Sequence, residues 1–404
     1  MTDQEQTPPE TGSPVRNIAL LSTAQAILGS NQAILMSVAA LTGAMMITDK
    51  AYATVPVTLM IIGTALATTP AAWSIHTLGR RNGFILGSAI AIPGALLAAY
   101  ATLTSNFVLF CIGLAMLGTT AAFAQQYRFA AADSVPDAWK PRAIAFVMAG
   151  GVVAGFVGPT LSAFSKPLIP EVDFAGTYLV MAGLAVLSIG VLWFTRLAPT
   201  VRSAEQRRAG RPLAQLIRTP EIIVPMVTAA VSYALMVLVM VAAPIAMVYV
   251  CGHTTEAAAF AIQWHIVSMY APSFFTGSLI SRLGPQLTAG LGLLAIAAAA
   301  IVNLTGITVA HFTAALILLG VGWNFGFVAS TAMLAKAYRP EEAARVQGLN
   351  EQVVFGTMAL ASILSGVLLE MIGWDSINVM ALPFATGAIL LLGWSQLRGA
   401  RQPG

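Results

Sequence analysis

The sequence predicts an all-α integral membrane protein with twelve transmembrane helices in two pseudo-symmetric halves of six. Three observations lead to this prediction: the composition, the length of the apolar windows and an internal repeat. Of the 404 residues, 57% are hydrophobic and 9% are charged, and the mean hydropathy is +0.81. A soluble chain carries about 25% charged residues. The composition therefore excludes a soluble enzyme, a nucleic-acid-binding protein and a disordered chain.

The apolar windows set the number of helices. A membrane-spanning helix needs roughly 20 apolar residues, and helices are favoured because lipid cannot satisfy free backbone groups. Twelve windows meet this requirement: 17–41, 51–76, 83–103, 106–126, 144–164, 174–194, 222–249, 257–279, 287–304, 308–332, 352–371 and 377–397.

The basic residues predict the orientation. Of the 20 Lys and Arg, only Lys50 and Lys166 fall in loops that follow odd-numbered spans. Because positive charge is retained on the cytoplasmic side, both termini are expected there. The first fifteen residues lack the basic start and apolar core of a signal peptide and read as a disordered tail.

A repeat divides the chain into halves. Arg196–Arg218 is the one long polar stretch, and the sequences on its two sides correspond: Gly79 matches Gly284 and Pro136 matches Pro340. A constant shift indicates duplicated architecture, which many transporters use. The predicted organisation is a disordered cytoplasmic tail (1–15), an N-terminal six-helix half (16–196), a cytoplasmic linker (197–219), a C-terminal six-helix half (220–398) and a second cytoplasmic tail (399–404).

The loop between spans two and three carries a family pattern. Gly79, Arg80 and Arg81 fit the end of Gly-x-x-x-Asp-Arg-x-Gly-Arg-Arg, although His76 stands where the acid is expected. With the twelve spans and the repeat, the chain resembles the major facilitator superfamily. The resemblance implies a transporter, not an enzyme, that works by alternating access. Arg80, Arg81 and the second-half Arg282 are then gating candidates.

Charged residues are scarce within the spans. No acid lies at mid-depth, where it would be the default proton carrier. Glu351 is near the start of span eleven, on the side that is expected to be cytoplasmic. Arg128, at the end of span four, is a candidate for coupling; the alternative is an interfacial arginine.

Two pairs of soft ligands lie on neighbouring spans. Met236 and Met240 in span seven, and His265 and Met269 in span eight, are each spaced i,i+4, which places each pair on one helix face. The two pairs overlap in depth, and thioether sulfur with imidazole favours Cu(I). The alternative is that these methionines fill gaps in the core.

The paired motif resembles that of the CcoA-type bacterial copper importers, which supply copper for assembly of cbb3-type cytochrome oxidase. The resemblance implies that Met236, Met240, His265 and Met269 bind copper. Cys251 and Met247, which lie one turn apart, are candidate auxiliary ligands, and the alternative for Cys251 is a buried structural thiol.

The sequence thus predicts a copper importer of the bacterial inner membrane. Copper is the substrate, no cofactor is permanently bound, and the expected partners are the lipid bilayer and a downstream copper chaperone. Two alternatives stay open: a transporter of a small organic molecule, by riboflavin-like uptake or drug efflux, and a non-transporting copper-handling assembly factor. The glycines before Pro159 in span five resemble a motif of drug–proton antiporters and are the best argument for export.

Overall fold

The computed structural model describes residues 13–136, 139–197, 211–339 and 342–399. Every regular element in these ranges is a helix, so the all-α prediction is confirmed. The predicted tails and linker fall largely outside these ranges, as does Pro340. The α-helices are α1 (Pro14–Met46), α2 (Val55–Leu78), α3 (Arg80–Leu103), α4 (Phe107–Ala124), α5 (Tyr127–Ala132), α6 (Lys140–Ser165), α7 (Ala175–Trp193), α8 (Leu213–Leu216), α9 (Pro220–Ile245), α10 (Thr255–Tyr270), α11 (Ser273–Leu283), α12 (Pro285–Thr305), α13 (Val309–Ala337) and α14 (Ala343–Gly399).

The helices cross the membrane twelve times. Within the described ranges, ten helical segments are long and apolar enough to span a bilayer. One of them, in α14, is 54 residues long and is interrupted at Gly373 (φ 80°, ψ 173°), so it provides two spans. The remaining span is α10 with α11, which a turn at Ala271–Pro272 divides. The twelve-helix membrane fold is therefore confirmed.

Spans four and eight are both discontinuous. In span four, α4 ends at Ala124 and α5 begins at Tyr127. In span eight, Pro272 lacks the backbone N–H that a continuous helix needs, and α10 ends two residues before it. Discontinuous helices are typical of transporter binding sites, because they expose backbone groups and re-aim side chains.

The repeat extends to the backbone. Gly79, between α2 and α3, has φ 80° and ψ 159°, and Gly284, between α11 and α12, has φ 83° and ψ 156°. Positive φ is readily available only to glycine. The same left-handed hinge thus joins spans two and three and spans eight and nine.

The helices pack as two groups, α1–α7 and α9–α14, through small residues. A Cβ at Gly118 would lie 2.0 Å from the Met60 carbonyl oxygen, so α4 and α2 approach as closely as backbones allow. Between the groups, α6 packs against α10 and α2 against α14.

Candidate functional site

The four predicted copper ligands are all buried. Met236, Met240 and Met269 belong to the main apolar core, and α9 and α10, which carry the two pairs, are in contact. His265 is fully buried, and its Nδ1 lies 2.7 Å from the Leu316 carbonyl oxygen on α13. Because a carbonyl only accepts, Nδ1 donates the proton, and Nε2 keeps a lone pair with no partner among the described residues.

The auxiliary candidates, Met247 and Cys251, lie just after the C-terminal end of α9. Met247 is buried in the π-helical turn Ala246–Val250, and Cys251 follows it as a partly buried free thiol. Burial, together with the charge of Asp375, raises the pKa of the Cys251 thiol. A raised pKa disfavours the thiolate, which is the metal-binding form.

The gating candidates near the Gly79 hinge pack within their own group of helices. Arg80 is nearly buried and forms an ion pair with Asp133, which follows α5. Arg81 lies 5.5 Å from the centre of the Trp193 ring on α7. Arg282 is exposed in the last turn of α11. Asp133, which follows span four, therefore supplies the acid that pairs with Arg80. In the family pattern the acid stands at the position of His76.

Arg128 differs from these arginines because it faces the second group of helices. It lies on α5 just past the break in span four, within electrostatic range of Glu351 on α14 and of the Tyr233 and Tyr270 hydroxyls. It forms no hydrogen bond with a described residue, and its buried Nε has no partner among them. Its guanidinium lies 4.9 Å from the centre of the Phe129 ring.

Four aromatic rings from α9, α10 and α13 form a cluster, and two of them, Tyr233 and Tyr270, lie within electrostatic range of Arg128. Trp323 and Phe327 on α13 are stacked, with centroids 5.4 Å apart and an interplanar angle of 9°. Tyr233 on α9 meets both rings edge-on at 5.1 Å, and Tyr270 on α10 meets Trp323 at 6.3 Å. Tyr233, Tyr270 and Phe327 are partly exposed, so the cluster presents an accessible aromatic surface.

The polar groups of this cluster are not fully used. The buried Trp323 Nε1 has no hydrogen-bond acceptor among the described residues, and a buried indole N–H usually has one. The neighbouring Asn324, by contrast, forms hydrogen bonds with both its amide nitrogen and its oxygen. Its amide donates to the Met269 carbonyl and to Ser273 Oγ, both at 2.7 Å, and its oxygen accepts from Thr276 Oγ1. Asn324 thus satisfies the backbone that the break in span eight leaves free.

The hydrogen bonds between the two groups of helices lie at one end of the described structure. We call the end with the loops after odd-numbered spans the odd-loop end, and the opposite one the even-loop end. Within the described ranges, the hydrogen bonds between the groups are Thr58–Ser362 at 2.9 Å, Lys166–Thr255 at 2.7 Å and Lys166–Glu256 at 3.3 Å. All three are at the odd-loop end, and the described ranges show no such bond at the even-loop end.

The sequence reasoning found Arg128 and noted Glu351 but missed the aromatic cluster. One signal was available, because Trp323 and Phe327 are spaced i,i+4 and therefore share a helix face. The contributions of Tyr233 and Tyr270 depend on how three helices pack, and no spacing in the sequence encodes that packing.

Comparisons with known proteins identify relatives across the chain. The sequence profile of the Major Facilitator Superfamily matches residues 19–356. The riboflavin transporter RfnT of Brucella anthropi is 44% identical over 370 residues, which are 91% of this chain and 92% of RfnT. Two uncharacterized MFS-type transporters of Bacillus subtilis, YddS and YdeG, are 25% and 26% identical over 93% and 95% of this chain and 89% and 92% of their own lengths.

These relatives correct the predicted substrate. Copper import is wrong, and the predicted roles in cytochrome oxidase assembly and with a copper chaperone are wrong with it, because a relative this similar is a riboflavin transporter. The physical reason is that i,i+4 Met and His pairs also arise on buried helix faces, where Met fills gaps in the core. Met236, Met240, His265 and Met269 as metal ligands stay an untested prediction.

Proposed function

The chain belongs to the major facilitator superfamily, and from this premise we propose that it is a transporter of riboflavin or of a closely related flavin. The observation that carries the proposal is the 44% identity to RfnT across 91% of the chain. Among the alternatives that the sequence left open, riboflavin-like transport fits this relative.

The chemistry of the candidate site fits a flavin. A flavin has a flat three-ring system, one edge with carbonyl acceptors and an N–H donor, and a chain of hydroxyl groups. Flat rings stack on aromatic side chains for about 1–3 kcal/mol each. Tyr233, Tyr270 and Phe327 offer partly exposed ring surface, and Arg128 offers unused donors beside them.

In alternating access, the site is open to one side of the membrane at a time. The hydrogen bonds between the groups lie at the odd-loop end, which supports a state in which the site is open to the even-loop end. We place the even-loop end and both termini in the cytoplasm of a bacterial inner membrane, because the basic residues concentrate there. The predicted halves, 16–196 and 220–398, would rock about the site. A reporter fused after Gly404 that is active only outside the cytoplasm would contradict this orientation.

Counterflow tests the substrate independently of direction and of any coupling ion. Proteoliposomes are loaded with unlabelled riboflavin and diluted into labelled riboflavin. We expect transient accumulation of label only in vesicles that contain the protein. Fluorescent-dye counterflow in the same vesicles tests the drug alternative. Label that never exceeds the protein-free level would overturn the proposal.

A variant of the aromatic cluster tests the site. Phe327→Leu keeps an apolar side chain of similar size but removes a partly exposed aromatic ring. We expect about tenfold weaker riboflavin affinity, equivalent to about 1.4 kcal/mol of lost stacking. Phe164→Leu is the matched control, because Phe164 is 76% exposed on the outer surface of α6. Equal affinities for the two variants would place the substrate elsewhere.

A further inference from the structure

A groove separates α6 from α10 between two levels at which the chain segments touch. At the deeper level, a Cβ at Gly155 would lie 3.2 Å from the backbone nitrogen of Val267, so the two helices pack closely there. At the odd-loop end, Lys166 donates to Thr255 and Glu256. Gly155 and Lys166 are eleven positions apart, which corresponds to about 16 Å along a helix. The groove occupies the space between these two levels.

Both groups of helices line the groove, which has a volume of about 340 Å³. Pro159, Thr160 and Ala163 come from α6, and Ala259 and Phe260 come from α10. Pro159 lies inside α6, where proline bends a helix, and the small alanine side chains leave the space unfilled. Thr160, Ala163 and Phe260 are exposed on the surface of the bundle. The groove therefore opens sideways, towards the hydrocarbon of the bilayer.

Two polar side chains of α10, those of Glu256 and Gln263, also line the groove. Gln263 lies seven residues after Glu256, or about 10 Å deeper along the helix. It is partly exposed, and its amide forms no hydrogen bond with a described residue. A polar group without a partner is costly in an apolar environment. A ligand with a hydrogen-bonding group at this depth would remove that cost.

The mouth of the groove carries more negative than positive charge. Lys166 Nζ lies 3.3 Å from Glu256 and 3.7 Å from Asp173, so two carboxylates share one ammonium group. The hydrogen bonds from Lys166 and Thr255 both reach Oε1 of Glu256. The Glu256 side chain is 62% exposed, and its Oε2 is available to a further donor. Charge complementarity at the mouth therefore favours a ligand with a cationic N–H donor.

We propose that this groove binds a phospholipid with a primary ammonium headgroup, taken from the leaflet at the odd-loop end. The ammonium group donates to Glu256 at the mouth, and the Gln263 amide donates to an ester carbonyl below the headgroup. An acyl chain packs on Ala163, Ala259 and Phe260. This lipid site is separate from the proposed flavin site and does not depend on the identity of the transported substrate.

The position of the groove links lipid binding to the conformation of the protein. Its two walls belong to different groups of helices, so the lipid fits only while the groups keep this arrangement. A ligand shifts an equilibrium towards the state that it binds better. The bound lipid therefore stabilises the state in which Lys166 bonds across the odd-loop end.

Competition between lipids tests the headgroup. Purified protein is incubated with equimolar phosphatidylethanolamine, phosphatidylcholine and phosphatidylglycerol that have identical acyl chains, and native mass spectrometry counts the retained lipids. We expect about tenfold more phosphatidylethanolamine than either competitor, because choline has no N–H donor and a glycerol headgroup leaves the lipid anionic. Glu256→Gln should reduce this preference to about twofold, whereas Glu171→Gln, an exposed acid of the same end, should preserve it. Equal retention of the three lipids by wild type would overturn the proposal.

Two variants test the location. Ala163→Trp fills the groove from its exposed side and should reduce lipid retention about tenfold. Ala310→Trp, at an exposed alanine near the odd-loop end of α13, is the matched control. Gln263→Leu adds no bulk but removes the amide, and we expect a reduction of about threefold. It therefore tests the same groove even if the tryptophan disturbs packing, and unchanged retention in Gln263→Leu would overturn the assignment.

The conformational effect is measured in nanodiscs. Spin-label distances across the odd-loop end should show about threefold more of the closed state in phosphatidylethanolamine than in phosphatidylcholine, and Gln263→Leu should reduce this difference. Equal distributions in the two lipids would overturn the link to conformation. Riboflavin counterflow tests the proposed function separately, so its loss or survival does not decide the lipid site.

Discussion

The two ends of the molecule use their charged residues in opposite ways. At the odd-loop end, Lys166 bonds across the interface to Thr255 and Glu256, and Lys50 lies 5.2 Å from the ring centre of Tyr249 in the other group. At the even-loop end, Arg80 pairs with Asp133 and Arg211 with Glu342, each within one group. The charged contacts of the odd-loop end therefore join the two groups, whereas these two ion pairs of the even-loop end each lie within one group.

A glycine allows the two groups of helices to pack closely at the odd-loop end. Gly366 on α14 packs on the loop before α2, and a Cβ there would lie 2.6 Å from both the Ala51 carbonyl oxygen and Thr54 Oγ1. The lysines of this end are the two exceptions to the charge bias of the loops. Their contacts explain why positive charge is retained on a side where the sequence otherwise avoids it.

Gly366→Ala should have the largest effect on the contact between the two groups of helices at the odd-loop end. The added methyl group meets backbone oxygen, and such overpacking costs about 1–3 kcal/mol. We expect closure of the odd-loop end to be disfavoured by about tenfold, with a similar loss of riboflavin counterflow. Gly356→Ala is the control on the same helix, since a Cβ there meets nothing within 4 Å. Equal counterflow in the two variants would show that Gly366 does not limit closure.

Lys166→Met should have a smaller effect. It removes two hydrogen bonds across the interface but retains the apolar stem, and partly exposed pairs are worth about 0.2–1 kcal/mol. We expect the closed population to fall by about two- to fivefold, measured from spin-label distances across the odd-loop end. Lys336→Met, exposed in the last turn of α13, serves as the control. A distance distribution identical to that of the control would remove Lys166 from the gate.

Lys50→Met should lower the closed population by about twofold, because a partly exposed cation–π contact is worth as little as about 0.5 kcal/mol. Lys50 also donates to the Ile47 carbonyl at 2.9 Å within its own group. Tyr249→Phe keeps the ring and should leave the distribution as in wild type. A loss as large with Phe as with Met would exclude the ring as the partner.

Glu342→Gln should leave the odd-loop distances unchanged and alter only stability. Glu342 is buried, and its bidentate hydrogen bonds from Arg211, both 2.8 Å, hold the pKa of its carboxyl below its usual range. A lowered folded-state pKa adds stability above the unfolded value of about 4.3, and that stability is lost as the pH falls. The Tm difference between wild type and variant should therefore shrink below about pH 5. A difference that is constant from pH 7 to pH 4 would contradict this pairing.

The sequence predicted the fold well because the fold depends on local properties. The length of apolar windows, the loop arginines and the matched glycines Gly79 and Gly284 are each visible within a few residues. The broken spans are only partly visible in the sequence: Pro272 disfavours a continuous helix in span eight, whereas Gln125 and Gln126 give no comparable signal in span four.

The site was harder to predict because it depends on packing between distant segments. Tyr233, Tyr270 and Trp323 meet only after three helices assemble. The copper prediction failed at the same step, since spacing shows which side chains share a face but not what that face meets.

The bonds of Asn324 also bear on how the protein is made. Its amide serves the Met269 carbonyl, 55 residues earlier in the chain. At about 5–20 residues per second of synthesis, the ribosome needs about 3–11 s to add that many residues. Throughout this interval the nascent span eight carries a backbone acceptor that lipid cannot satisfy. Spans eight and ten must therefore both be in place before this part of the fold can form.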